Sequence, residues 1–349
     1  MTRTILVAGS GGVGKTTLSA ALGVAAARSG AKTLVLTVDP ARRLADALGM
    51  EQLGNVPTET NQEGLSAAML DASAAWDALV DRHAPPDVAE RLHASPYFRA
   101  IADRFPAGQS YAACEQMADH IDERFWDVVV VDTPPAEGGI DFFLAPGRVR
   151  RLVGGRLLRW LTGASLPGRR RLYSFTARPA LRMADAIVGG PLLEEVAEFL
   201  LDLRALYDGV TRRARQIERQ LKRAKTLVVT TAHPSPLAEA TRFFTELPDA
   251  AGKPTSVAFN RALPPDWAAA SSTDSGPLAE NLKRWASESQ RQLDAREAFG
   301  AQHRVEPAVI PWVAEAPTSL SQLGQLVRSA QGLDLEALGA VLAHSPGPP

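Results

Sequence analysis

Short apolar runs recur along this chain, each closed by glycine, proline or an acid, and longer helical patterns fill the spaces between them. The strand candidates are "TILVAG" (4–9), "KTLVLTVD" (32–39), "WDVVVVDTPP" (126–135), "AKTLVVTTAHP" (224–234), "PTSVAFNRALPP" (254–265) and "EPAVIPWV" (306–313). The central runs are apolar throughout rather than alternating, the pattern of strands covered on both faces of a parallel sheet. Strands alternating with helices predict an α/β fold, a doubly wound, mostly parallel sheet.

Two helix-rich stretches, 60–122 and 147–222, are too long for simple crossovers. They predict an inserted α-helical subdomain, with 1–59, 123–146 and 223–345 forming the α/β domain. One helix is expected over about 191–222, roughly 48 Å long at about 1.5 Å per residue. Val196, Leu200, Leu203, Tyr207, Val210, Ala214, Ile217 and Leu221 form its apolar seam, and Leu192, Phe199 and Leu206 a second row. Both rows buried in one bundle, or one covered by another subunit or a client, are the two readings. The segment 264–277 is a Ser-, Ala- and Pro-rich loop.

Composition narrows the chemistry. Of 349 residues, 38 are Lys or Arg and 39 Asp or Glu, so the net charge of −1 gives no overall pull toward nucleic acid, and no nucleic-acid partner is expected. The single cysteine, Cys114, excludes an internal disulfide, a Cys-x-x-Cys zinc site and a three-thiol metalloid site within one chain. No apolar run is long enough to span a bilayer, the N-terminal apolar run is too short for a signal peptide, and the final "AHSPGPP" reads as a frayed tail. The expected location is a reducing cytoplasm. One segment breaks the charge balance: Arg148, Arg150, Arg151, Arg156, Arg159, Arg169, Arg170 and Arg171 follow one another with no acid between. It is either a basic amphipathic segment meeting a membrane surface or apolar client, or a packed helix with solvated arginines.

The sharpest motif is "GSGGVGKTT" (9–17) between the first strand and a helix. Gly9, Gly14, Lys15 and Thr16 fit the G-x-x-x-x-G-K-[ST] phosphate loop. Backbone N–H groups of Gly11, Gly12, Val13, Gly14, Lys15, Thr16 and Thr17 cradle phosphate oxygens, the helix start adds its positive end, Lys15 reaches the β- and γ-phosphates and Thr16 holds Mg2+. The sheet is therefore expected to be of the P-loop NTPase type, with ATP and Mg2+ as cofactors. Asp132, ending "VVVVD", is placed to reach the metal directly or through water. Asp39, at another strand end, either orients a water on the γ-phosphate or caps the helix that follows. Asn260 ends "SVAFN" and offers a donor and an acceptor to an adenine edge, or satisfies a turn; Pro311, Trp312 and Val313 either press on the base or end a buried strand.

"GSGGVGKTT", "DPARRLADALG", "VVVDTPP", "FNRALP" and "IPWV", in this order, resemble the ArsA-type ATPases, a family with an arsenical-pump ATPase and the eukaryotic ATPase that delivers tail-anchored membrane proteins, within the wider MinD-like class. The resemblance implies a dimer with ATP at its interface, Asp39 as the water-activating residue, Asp132 as the start of a second switch, and Asn260 and the Pro311 loop as base contacts. The chain departs from the pattern. Ser10 stands where many members carry a lysine that crosses the dimer, and a cation of that kind is worth about 10³–10⁵ in rate. Arg42 and Arg43 are either substitutes or a solvated helix face. The run "AEGGIDFFLAP" (136–146) follows "DTPP", where Gly138 and Gly139 leave a loose switch or one read by a partner. The zinc pair and metalloid thiols of some members are missing, which disfavours arsenite transport. Three functions stay open: a dimeric switch ATPase handling a hydrophobic or membrane-associated client, with a peripheral position at the membrane; a weakly hydrolysing subunit paired with a paralogous ATPase; and an anion-transport or MinD-like positioning ATPase.

Overall fold

A computed structural model describes residues 2–39, 41–104, 106–134, 136–153, 192–269 and 276–341. It divides into two compact units, one of residues 1–70, 117–143 and 221–349 and one of 71–116 and 144–220.

The first unit is built on an eight-stranded sheet. Its strands are β1 (Arg3–Ala8), β2 (Thr33–Thr37), β3 (Thr58–Glu59), β4 (Leu65–Met69), β5 (Val128–Asp132), β6 (Lys225–Thr230), β7 (Ser256–Ala262) and β8 (Ala308–Pro311), in the order β3-β4-β2-β5-β1-β6-β7-β8. Every pairing is parallel except β3 with β4. All five residues of β2 and of β5 are buried, the apolar interior residues as covering on both faces demands and the polar Thr33, Thr37 and Asp132 at the strand ends with them. Helix α1 (Lys15–Arg28) packs on this sheet and on α11 (Leu320–Ser329). It approaches closely because Gly23 carries no side chain: a Cβ there would lie 2.3 Å from Val35 Cγ2. Helices α2 (Arg43–Leu48), α9 (Pro234–Ala250) and α10 (Pro277–His303) and a 3-10 turn, Pro265–Ala269, also lie in this unit.

The sheet corrects one expected boundary. Residues 60–70 open no helical insertion; they carry β4, paired along its length with β2. The sequence "LSAAM" hides this strand, because its small residues lack the branched side chains that announce strands and its burial comes from neighbours. The run after "DTPP" is helical, α7 (Ala136–Val153), with Ile140, Phe142 and Phe143 buried. Gly139 serves packing there: a Cβ would stand 3.0 Å from Phe243 Cζ and 3.3 Å from the Pro134 carbonyl.

The second unit is helical: α3 (Ala72–His83), α4 (Pro86–Ala94), α5 (Pro96–Arg104) and parts of α6 (Pro106–Asp122), α7 and α8 (Leu192–Arg223). Asp71 caps α3 by accepting from the Ser73 and Ala74 amides. The Trp76 indole lies edge-on to Phe98 at 6.2 Å and beside Tyr111 at 5.7 Å, and its Nε1–H donates to the Gly108 carbonyl at 3.2 Å. A buried ion pair joins Arg213 Nε to Glu115 Oε2 at 2.6 Å. On α8, Val210, Ala214, Ile217 and Leu221 are buried as the expected seam requires. In the first half the buried positions are Phe199 and Leu206 of the second row, whereas Leu200, Leu203 and Tyr207 are half-buried and Leu201 is exposed. The side chains of Leu192 and Val196 lie outside the described residues, as do Arg156, Arg159, Arg169, Arg170 and Arg171 of the arginine run. Of the described arginines, Arg150 reaches Glu218 at 3.3 Å. Among the described residues no helix is long and apolar enough to cross a membrane.

Candidate active site

In an open parallel sheet, loops at the carboxyl ends of the strands form the ligand crevice. Here those ends bring the glycine loop after β1, Asp39 after β2, Asp132 at the end of β5, Asn260 near the end of β7, and Pro311–Trp312–Val313 at the end of β8.

The loop conformation depends on glycine. Gly9 has φ of 146°, and a Cβ on it would lie 2.1 Å from the Val229 carbonyl oxygen of β6. Gly14, at φ 98°, is the N-cap of α1; no side chain caps that helix and its first turn holds no acid, so its first N–H groups face an open anion site. Lys15 is buried, and its Nζ donates to the Ser10 carbonyl at 2.9 Å. Burial lowers the pKa of its ammonium, against the pull of Asp132 and Asp39. The loop thus holds its one lysine folded onto its own backbone.

Asp132 receives two hydroxyls on one oxygen. Thr16 Oγ1 donates to Oδ2 at 2.7 Å and Thr37 Oγ1 to the same atom at 3.1 Å. The other oxygen, Oδ1, is buried without a hydrogen-bond partner. Burial pushes the carboxyl up to about 6, opposed by the Thr16 bond, the Lys15 charge and the Thr37 bond. A buried carboxylate oxygen with no partner, beside a threonine hydroxyl and a phosphate loop, is the donor set a hard divalent cation takes. The residues present therefore fit Mg2+.

Asp39 follows β2 and is not the cap of α2, whose N-cap is Arg42 with no side-chain cap. Its Oδ1 accepts from the Ala41 amide at 2.9 Å, stabilising the turn into α2, and its Oδ2 pairs with Arg43 at 3.1 Å. Its own amide donates to Thr37 Oγ1 at 3.2 Å. The two candidate substitutes for a lysine at position 10 diverge: Arg43 is held by Asp39, while Arg42 donates to the Glu51 carbonyl.

Asn260 faces the phosphate loop. Its Nδ2 donates to the Val13 carbonyl at 2.7 Å and its Oδ1 accepts from the Arg261 amide at 2.9 Å. The β7–β8 register shifts between Phe259 and Ala262, and Arg261 takes a left-handed φ of 57°. That irregularity turns Asn260 onto the loop. The amide keeps one N–H and one lone pair for a further partner. Asn260 also lines a narrow crevice with Ala232, Phe259, Leu263, Gln292 and Arg296. At the end of β8, Trp312 and Val313 are exposed, 49% and 42%, and the Trp312 amide donates to the Ala262 carbonyl at 2.8 Å.

Two contributions escaped the sequence reading. Thr37 bridges Asp39 and Asp132; a hydroxyl two residues before an acid at a strand end is the signal that points to it. Helix α10 supplies Gln292, whose Oε1 accepts from the Leu263 amide at 3.0 Å, from a position no motif marks.

A parallel sheet with a glycine loop feeding a helix N-terminus, a buried lysine, and a threonine hydroxyl on a strand-end aspartate define a P-loop ATPase. The family model described as anion-transporting ATPase, the ArsA ATPases, matches residues 2–326, and the chain belongs to that family. An uncharacterized protein of Streptomyces coelicolor is 33% identical over 290 residues, 80% of this chain and 67% of that one. A Paramecium tetraurelia protein named as a homologue of the ATPase ASNA1 is 30% identical over 132 residues, 38% of this chain and 40% of its own length. The ATPase GET3 of Mycosarcoma maydis is 26% identical over 150 residues, 43% of this chain and 44% of its own. The chain thus spans less than half of the two eukaryotic relatives.

Proposed function

We propose that this chain is an ATP-driven switch that works as a dimer and couples its nucleotide state to handling of a hydrophobic or membrane-associated protein. The observation that carries the nucleotide half of this reading is Asp132, whose Oδ2 is held by Thr16 while its Oδ1 is buried and unpartnered beside the Lys15 ammonium. Amides of residues 11–17 bind the phosphate tail, and Lys15 leaves the Ser10 carbonyl for the phosphate oxygens. Thr16 and Asp132 would hold Mg2+, which would supply charge neutralisation for the phosphate tail. Asp39 orients the attacking water, which requires it to release Arg43. Asn260 positions the loop and offers its remaining N–H and lone pair to the base, with Pro311, Trp312 and Val313 alongside. The client half rests on the resemblance to the ATPases that deliver tail-anchored proteins and on the first half of α8, where Leu201 is exposed and Leu200 and Leu203 are half-buried. The expected compartment is the cytoplasm, with a peripheral position at the membrane when a client is carried. Cys114 is buried and has no second cysteine to work with, so metalloid transport is not proposed.

Steady-state hydrolysis by the pure chain tests this. Mg2+-dependent turnover that Asp39→Asn abolishes, with ATP-induced dimers in light scattering, is the expected result. A second reading is favoured by Ser10 and by the Arg43–Asp39 pair, which neutralises the carboxylate meant for water: a nucleotide-binding subunit that hydrolyses only with a paralogous ATPase. Turnover absent alone and present on mixing with a lysine-bearing paralogue supports that reading.

A further inference from the structure

We infer that Thr37 is a positioning residue for ATP hydrolysis, tying the backbone of the Asp39 loop to the orientation of the Asp132 carboxylate; the inference rests on the ATPase reading above.

Thr37 is the last residue of β2 and lies directly opposite Asp132 in the parallel β2–β5 ladder. It is 1% exposed, so no water competes for its hydroxyl. That hydroxyl accepts the Asp39 N–H at 3.2 Å and donates to Asp132 Oδ2 at 3.1 Å. A hydroxyl has one hydrogen, and an amide can only donate. The Asp39 bond therefore fixes the Thr37 proton on Asp132.

The consequence for Asp132 is directional. With Thr16 and Thr37 both on Oδ2, that oxygen is used up by hydroxyl donors and the unpartnered Oδ1 is the oxygen left for a cation. Neither threonine alone fixes this, because a carboxylate held at one point rotates about its Cβ–Cγ bond. The consequence for Asp39 is positional. Its carboxylate hangs on a backbone whose amide is anchored to the same hydroxyl, so a change in the Asp132 carboxylate when a cation and phosphate arrive reaches the Asp39 loop through one atom. A second tie runs in parallel: the Val38 amide donates to the Asp132 carbonyl at 3.3 Å. That bond lies along the backbone and leaves side-chain orientation to Thr37.

Thr37→Val replaces the hydroxyl by a methyl of nearly the same volume and keeps a β-branched residue in the strand. Thr37→Ser keeps the hydroxyl and drops the methyl. The full-length chain and both variants are compared by three measurements. Exchange of backbone amides in the peptide spanning 36–44, without nucleotide, is expected to be at least tenfold faster at the Asp39 amide in Thr37→Val and near wild type in Thr37→Ser. The Mg2+ concentration at half-maximal enhancement of ATP binding, followed by calorimetry, is expected to rise about tenfold in Thr37→Val and to recover in Thr37→Ser, as loss of a hydrogen bond to a charged group predicts. Turnover is expected to fall on the order of 10²-fold with a smaller change in KM, the signature of lost positioning rather than lost substrate binding. Unchanged exchange and an unchanged Mg2+ midpoint in Thr37→Val overturn the inference. So does a Thr37→Ser variant as impaired as Thr37→Val, which would assign the residue's importance to its methyl. A wild-type chain that binds no Mg2+–ATP overturns the ATPase reading itself, a failure distinct from any that appears only in the variants.

Discussion

Asn260 donates its side-chain amide to the carbonyl of Val13 at 2.7 Å, across 247 residues of sequence. The contact holds the peptide that enters Gly14, and it leaves no room for a side chain there: a Cβ on Gly14 would lie 2.3 Å from Asn260 Nδ2. The loop that binds phosphate is therefore braced from β7, two strands away from β1 in the sheet order. Asn260→Ala removes one hydrogen bond worth about 1 kcal/mol and is expected to weaken ATP binding roughly five- to tenfold. Asn260→Asp is expected to be worse, because a carboxylate would face both the Val13 carbonyl and the incoming phosphates. Calorimetric titration of the two variants checks the order; an Asn260→Asp variant that binds ATP as well as Asn260→Ala would deny the bracing role.

Asp132 exchanges stability for a cation site. Its folded pKa, about 6, lies above the ordinary value of 3.8, so the fold favours the protonated acid. That stability is present below about pH 4 and is lost as pH rises toward 6, leaving an ionised carboxylate that costs on the order of 1–3 kcal/mol at neutral pH. Asp132→Asn keeps an acceptor for Thr16 and Thr37 and removes the charge. The nucleotide-free variant is expected to melt above wild type at pH 7, with the gap narrowing as pH falls to 4.5, and to lose Mg2+-dependent ATP binding. Melting curves at several pH values measure the gap, and a constant gap would trace it to packing instead of charge.

The legible part of this fold is local. Gly9, Gly14, Lys15 and Thr16 announce themselves because backbone conformation and phosphate chemistry constrain each residue at fixed spacing, and the valines of β5 because burial on both faces leaves no polar position. What stays hidden is decided by partners far along the chain. Strand β4 is made by β2, since Leu65–Met69 has no strand character of its own. Thr37 gains its role from Asp132, 95 residues away. Asn260 is visible as a strand-end amide, yet only the β7 irregularity decides that it faces the loop. On α8 the periodicity gives a helix and two rows, but which row is buried in the first half depends on α5, whose Tyr97 ring lies 5.7 Å from Phe199.

The helical unit has its own test in Glu115 and Arg213. Their 2.6 Å pair is almost sealed from solvent, at 3% and 8% side-chain exposure. Removing one partner takes the short pairing away from a buried charge, which costs roughly 3–5 kcal/mol, whereas replacing both with apolar residues of similar size is near neutral. Arg213→Met alone is expected to lower the denaturant midpoint sharply, and Arg213→Met with Glu115→Leu to recover most of the loss. Equal losses in the single and double variants would mean that the pair's other contacts, not its charge balance, hold this core.

His303 ends α10 with its ring 4.4 Å from Phe299 and 5.0 Å from Phe244, and with a buried Nε2 that has no hydrogen-bond partner. A protonated histidine is usually welcome at a helix C-terminus. Here burial, and the nearby Lys253 charge, depress its pKa below 6.5 instead. The sign follows: stability from the neutral imidazole is fully present above pH 6.5 and is lost as pH falls through the lower folded value. His303→Phe keeps the aromatic packing and removes the titration. Between pH 7.5 and 5 the urea midpoint of wild type is expected to fall more than that of His303→Phe, with the two curves separating only below about pH 6.5. Parallel curves across the whole range would show that the ring charges at no cost, and that Phe244 and Phe299 do not enclose it in solution.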